Sequence, residues 1–144
     1  MTELTSTMKD YIKAIFFMEE AGREAKTTNL AQEVKVKPAS VTEMVQKLSS
    51  IGLVHHDPYH GIKLTKKGKD AATKIVRKHR LLEKLFVDFA GLEAPSACEE
   101  ASKLELLLSD DAANRICSIY KHPQTCPCGK PIYSDERCCG KRTA

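Results

Sequence analysis

Thr27-Thr28-Asn29-Leu30-Ala31-Gln32-Glu33-Val34-Lys35-Val36-Lys37-Pro38-Ala39-Ser40-Val41-Thr42-Glu43-Met44-Val45-Gln46-Lys47-Leu48 is the stretch whose reading decides the fold. Leu30, Ala31 and Val34 recur at helical spacing behind two threonines and an asparagine, residue types whose oxygens cap helix N-termini. They predict a short helix. Only Lys35-Val36-Lys37 separates it from Pro38, which suits a first helical position because the N–H it lacks would be unpaired there. Val41, Met44, Val45 and Leu48 then repeat at helical spacing, while Ala39, Ser40, Glu43 and Lys47 fall on the opposite face. Two helices joined by so tight a link predict a helix-turn-helix, whose second helix enters the major groove of DNA. Small or hydrogen-bonding side chains near its N-terminus permit close approach to base edges. Thr28, Lys37, Pro38, Ala39, Ser40 and Glu43 are the candidates for DNA contact on this pair of helices.

Downstream of Gly52, Leu53-Val54-His55-His56 and Ile62-Lys63-Leu64 are short β-prone runs separated by the turn-rich Asp57-Pro58-Tyr59-His60-Gly61. This is the pattern of a wing, from which His60 and Lys63 can reach phosphates and so position the protein without specifying sequence.

A chain of 144 residues can bury a core in one or two small domains. Eleven basic side chains face nine acidic ones up to Ala72 and twelve face ten beyond it, so DNA affinity must come from local placement and not from a basic tail. No apolar run is long enough to span a membrane and no signal-peptide pattern opens the chain, which predicts a cytoplasmic protein. That compartment is reducing, so the six cysteines are read as metal ligands or redox sensors before disulfides.

Thr7 to Glu20 predicts an amphipathic helix stopped at Gly22. A long helix is expected from Lys69 to about Ala90, with Ile75, Val76, Leu82, Leu85, Phe86 and Phe89 giving an apolar surplus that suggests a homodimer. Ser96 and Glu99 read as a capping box before another helix, and Ser109 with Asp110 caps a last one running through Tyr120. The fold expected is mainly α with a small β-wing: a winged helix-turn-helix over 1–72, a helical dimerisation domain over 73–122, and a Cys-rich tail over 123–144.

His79 and Glu83 stand four residues apart on one helix face, at the margin of an apolar stripe. Cys98, Ser102 and Glu105 line one face of the next helix. Imidazole and carboxylate together suit a divalent cation. The same spacing suits a solvated ion pair with Cys98 as a small core residue, and the spacing alone leaves both readings open.

Over residues 5–122 the chain resembles the metal-dependent repressors typified by the diphtheria toxin repressor and the manganese transport regulator. The resemblance rests on Met8-Lys9-Asp10-Tyr11-Ile12, Pro38 to Leu48, Leu64-Thr65-Lys66-Lys67-Gly68 and His79-Arg80-Leu81-Leu82-Glu83, with His122-Pro123-Gln124-Thr125-Cys126-Pro127 similar to the end of that family's second domain. It implies a winged helix-turn-helix, a helical dimerisation domain, Fe(II) or Mn(II) as the bound ion with Zn(II) a further option, and double-stranded operator DNA as partner. Position by position it implies Asp10, His79, Glu83, Cys98 and Glu105 as ligands, Cys98 standing where one branch has a histidine. Lys13, Ser102 and Leu106 depart from the family pattern, so one metal site is expected to be lost or rebuilt. The SH3-like third domain of longer members is not expected here.

Cys126-Pro127-Cys128 and Cys138-Cys139 place four thiols in a segment poor in apolar residues. Four thiolates suit a tetrahedral Zn(II) site or an iron–sulfur cluster, though the spacing matches no standard run. A further option is that the tail folds back and lends a thiolate to the helix site, while Cys117 is read as packing. The resulting expectation is a metal-dependent repressor, with a regulator that senses redox state or an iron–sulfur cluster through its tail as the alternative. No Ser/His, P-loop or H-E-x-x-H pattern points to an enzyme or a small-molecule substrate.

Overall fold

A computed structural model describes residues 3–140; the expected domain limits at 1–2 and 141–144 lie outside the described residues. Contacts divide the chain into two compact units, Met1–Ala72 and Thr73–Ala144. Each is described by itself.

In the first unit, α1 (Ser6–Glu20), α2 (Thr27–Val34) and α3 (Pro38–Ser50) precede a hairpin of β1 (Val54–Asp57) and β2 (Gly61–Leu64). Thr5 caps α1 by accepting from the Met8 N–H at 3.2 Å. The cap of α2 corrects the expectation. Lys26 holds the N-cap position, and Asn29 works from inside the first turn, accepting the Lys26 N–H at 2.7 Å while its amide donates to the Glu24 carbonyl. The chain turns from α2 into α3 through Lys35 in the left-handed region (φ 58°), and Pro38 opens α3 as its sequence position predicts. Ile12, Ile15, Leu30, Val41 and Leu48 are fully buried, each such burial stabilising by about 1.5–3 kcal/mol.

The hairpin is antiparallel, with Val54 opposite Leu64 and Asp57 opposite Gly61. On β2 and at the start of β1 the side chains alternate: Val54, Ile62 and Leu64 are buried and His55 and Lys63 face outward, while His56, across from Ile62, is exposed on the same face as its partner. Asp57 Oδ1 accepts from the backbone N–H of Tyr59 at 2.8 Å and of His60 at 3.3 Å, closing the turn. Gly61 adopts φ +80°, and a Cβ there would collide with the Ala25 carbonyl, to which Ile62 N–H donates at 2.7 Å.

α4 (Lys66–Asp88) starts three residues earlier than its apolar period predicts, because Thr65 Oγ1 accepts the Gly68 N–H at 3.1 Å and caps it. The second unit is built on residues 73–88 of α4 with α5 (Ala94–Leu104), α6 (Asp110–Ile119) and the short α7 (Glu136–Cys139). α5 also corrects the sequence reading. Glu93 is its N-cap and Pro95 lies in its first turn, so Ser96 sits inside the helix and makes no capping box. Ser109 caps α6 by accepting from the Ala112 N–H at 3.1 Å.

The segment after His122 has more core than its composition suggests. Cys126 and Ile132 are buried with Leu81, Ala113 and Cys117, and Leu108 and Ile116 pack on them. Arg80 donates to the Pro131 carbonyl at 2.7 Å and lies over the Tyr133 ring. A tight turn, closed by Gly129 N–H on the Cys126 carbonyl at 2.9 Å and Cys126 N–H on the Lys130 carbonyl at 2.9 Å, completes the local order. Among the described residues no helix is long and apolar enough to cross a membrane.

Candidate functional site

Three sets of residues carry chemistry, one in the first unit and two in the second. In the first, Thr28, Lys37, Pro38, Ala39, Ser40 and Glu43 are all exposed, as are His60 and Lys63 on the hairpin. Their exposure follows from Val41, Val45 and Leu48 turning the opposite face of α3 into the core. Glu43 pairs with Lys47 at 3.6 Å, one turn on. Gln46 shares the exposed stripe of Ala39 and Glu43 and has the amide best suited to a bidentate contact with adenine; the sequence reading passed over it, though helical spacing from Ala39 identifies it. His60 is drawn toward Glu24 at 3.9 Å. Asp10 is exposed on α1, in a cleft of about 370 Å³ shared with Lys13 and Glu33. Its ligand role rests on the resemblance alone.

In the second unit α4 and α5 bring His79, Glu83 and Cys98 together, their donor atoms within 4.8 Å of one another. His79 and Glu83 are one turn apart on α4, with Nε2 3.6 Å from Glu83 Oε2, and Cys98 Sγ lies 3.4 Å from the same Nε2. Glu105 grips the other ring nitrogen, Nδ1, at 2.6 Å. A carboxylate on Nδ1 fixes the tautomer that leaves the Nε2 lone pair facing Glu83 and Cys98. Glu105 thus holds the ring from the side opposite Glu83 and Cys98, and the resemblance implies a ligand role for it. His79, Glu83 and Glu105 are only 4%, 2% and 1% exposed, and a buried pair of carboxylates around one imidazole needs positive charge nearby.

The tail reaches this cluster. Cys128 donates its S–H to Glu83 Oε1 at 3.0 Å, and that hydrogen bond, with burial, pushes its thiol up to about 12. Ser102, whose hydroxyl bonds back to the Cys98 carbonyl at 3.1 Å, is exposed and takes no part.

The four tail thiols do not form one centre. Cys126 is 6% exposed in the apolar core, Cys128 lies on Glu83, and Cys138 and Cys139 converge instead with Cys117 and His122, their donor atoms within 4.8 Å. The backbone explains the split: the turn at Gly129 points neighbouring thiols in different directions, and α7 returns Cys138 and Cys139 to α6. The expected four-thiolate zinc or iron–sulfur centre is thus corrected, and with it the cluster-sensing alternative loses its ligand set. Cys117, read from the sequence as packing, belongs to both the core and this second group of donors.

Comparison with known proteins follows the same division. Residues 3–62 match the N-terminal DNA-binding domain of the iron-dependent repressor family, and residues 65–134 match that family's metal-binding and dimerisation domain. An uncharacterized helix-turn-helix-type transcriptional regulator of Methanocaldococcus jannaschii is 42% identical over 114 residues, covering 78% of this chain and 91% of its own length. The diphtheria toxin repressor of Corynebacterium glutamicum is 30% identical over 132 residues, 92% of this chain and 58% of that protein. A manganese-dependent transcriptional repressor solved in complex with manganese superposes with a TM-score of 0.83 at 34% identity, over 90% of this chain and 59% of its own. The chain thus spans somewhat over half the length of these two repressors. With both domains matched in order along its length, the chain belongs to the iron-dependent repressor family of metal-dependent transcriptional regulators.

Proposed function

We propose that this chain represses transcription in the cytoplasm by binding operator DNA as a homodimer when a divalent transition metal is held around His79. The observation that carries the reading is the buried convergence of His79, Glu83 and Cys98 inside the domain matched as metal-binding. On this reading residues 1–72 read DNA, 73–122 hold metal and dimerise, and 123–144 complete the metal site through Cys128.

The donors fit such an ion: one imidazole nitrogen, one carboxylate oxygen and the thiols of Cys98 and Cys128. Thiolates shift preference from Mn(II), which favours oxygen, toward Fe(II) and Zn(II). Of the two ions that the resemblance implies, Fe(II) suits these residues better, with Zn(II) as its competitor. When bound, the ion supplies the positive charge that two buried carboxylates and two thiolates require. Glu105 keeps the His79 ring in the binding tautomer, and the thiols of Cys98 and Cys128 release their protons to solvent.

Exposed apolar side chains support self-association of the second domain. Phe89, Leu107 and Ile119 are 72%, 81% and 73% exposed, a heavy load of apolar surface for a small domain. In the DNA-binding domain, Lys37, Ala39, Ser40 and Glu43, joined by Gln46, read bases on this reading, Thr28 and Pro38 lie beside them, and His60 and Lys63 contact phosphate. Coupling requires that DNA raise metal affinity by the factor by which metal raises DNA affinity. Operator selection followed by anisotropy titrations with Fe(II), Zn(II), Mn(II) or chelator tests the reading. Fe(II) should tighten operator binding at lower concentration than Mn(II), and metal-independent binding to the selected site overturns it.

A further inference from the structure

The second group of donors lies outside the helix site. We propose that Cys117, Cys138, Cys139 and His122 form a separate tetrahedral site for a structural zinc ion, which pins the tail to α6. Cys117 Sγ is 3.4 Å from His122 Nδ1 and 3.6 Å from Cys139 Sγ, and Cys138 Sγ is 3.6 Å from the same Nδ1. Zn–S bonds of about 2.3 Å in a tetrahedron place ligand atoms about 3.7 Å apart, so these spacings already approach the edges of the polyhedron.

Two independent observations point to an ion here. Arg77 is 5% exposed, its Nε and Nη2 have no hydrogen-bond partner among the described residues, and it lies near enough to Cys139 to favour that residue's thiolate. A buried guanidinium beside neutral thiols is costly. Three thiolates, a neutral imidazole and Zn(II) sum to one negative charge, which Arg77 balances; loading releases the three thiol protons to solvent. The second observation is the backbone at the end of α6, where Lys121 and His122 are both left-handed, with φ of 56° and 59°. Successive non-glycine residues in that region carry strain. The bend turns His122 Nδ1 onto Cys117 and Cys138. Burial pushes Cys117 up to about 12; at Cys139 burial acts the same way, but hydrogen bonds from the Asp135 backbone, Cys117 and Cys138, together with nearby Arg77, outweigh it and lower the thiol.

The test uses full-length protein carrying His79→Ala and Glu83→Gln, which disables the helix site. Purified anaerobically and loaded with zinc, it should retain one zinc per chain after dialysis. Loaded with Co(II), it should show intense tetrahedral visible bands and thiolate-to-cobalt charge transfer. Adding Cys139→Ser should dim the charge transfer by about one third, one thiolate of three, and weaken zinc binding at least 100-fold. His122→Asn keeps the backbone, since asparagine tolerates the left-handed region, and should weaken zinc binding comparably even if the cysteine variant unfolds. Zinc at background in the parent protein, or retention unaffected by His122→Asn, overturns the proposal. So does a count of four free thiols in the denatured, unreduced chain, which marks a disulfide at this position in place of a metal.

Discussion

The Sγ of Cys128 donates to Glu83 Oε1 at 3.0 Å, joining residues 45 apart in the chain. Glu83 has its other oxygen toward His79 Nε2, so the tail thiol is delivered to the edge of the helix cluster by one tight turn. The tail thereby borders the His79–Glu83–Cys98 cluster.

Cys128→Ser should therefore weaken metal binding at the helix site by about 10-fold or more while leaving the helical content unchanged. Competition against a chelator of known affinity, with Fe(II) and Zn(II), measures it. Equal affinities in variant and parent would place Cys128 outside the site.

Replacing His79 and Glu83 together by alanine should reduce operator affinity to the non-specific level, a loss of about 10³-fold or more. Circular dichroism and sedimentation must show the fold retained. A variant whose operator binding still responds to metal would remove this cluster from the switch.

Base reading and phosphate contact are separable on the first unit. Ser40→Ala, Glu43→Ala and Gln46→Ala should each change sequence preference by about 1–3 kcal/mol at one position. Lys63→Ala should weaken binding to all sequences and reduce the slope of log affinity against log salt by about 0.9. Selection experiments that find altered preference only for Lys63→Ala contradict the assignment.

Gly68 is a packing requirement: a Cβ there would run into the Leu53 carbonyl. Gly68→Ala should destabilise the first unit by about 1–3 kcal/mol, read as a lower urea midpoint at unchanged slope. No loss of stability would mean that α4 shifts freely against the end of α3.

Leu107→Glu with Ile119→Glu should yield a monomer at micromolar concentration, since the charges fall where both side chains are exposed and apolar. Analytical ultracentrifugation decides it. A dimer that survives both changes puts the interface elsewhere.

Local pattern was enough for the first unit. Pro38, the period of Val41, Val45 and Leu48, and the alternation of Val54, Ile62 and Leu64 each encode their element with short-range physics, so helices, wing and exposed face were all legible. The caps of α2 and α5 were not, because the capping residue types Thr27, Thr28, Asn29 and Ser96 fall inside those helices and the backbone path puts Lys26 and Glu93 at the N-cap positions.

The second unit divides the same way. Spacing of four residues puts His79 beside Glu83 on any helix, and the sequence alone determines that pair, just as it determines that six thiols are present. Which thiol meets which partner was decided only by tertiary structure. The turn closed at Gly129 sends Cys126 into the core and Cys128 to Glu83, and α7 carries Cys138 and Cys139 back to Cys117 and His122. Neighbours in sequence are separated because each thiol's position is set by long-range contacts, the Arg80 bond to Pro131 and the burial of Ile132 among them, which no local period encodes.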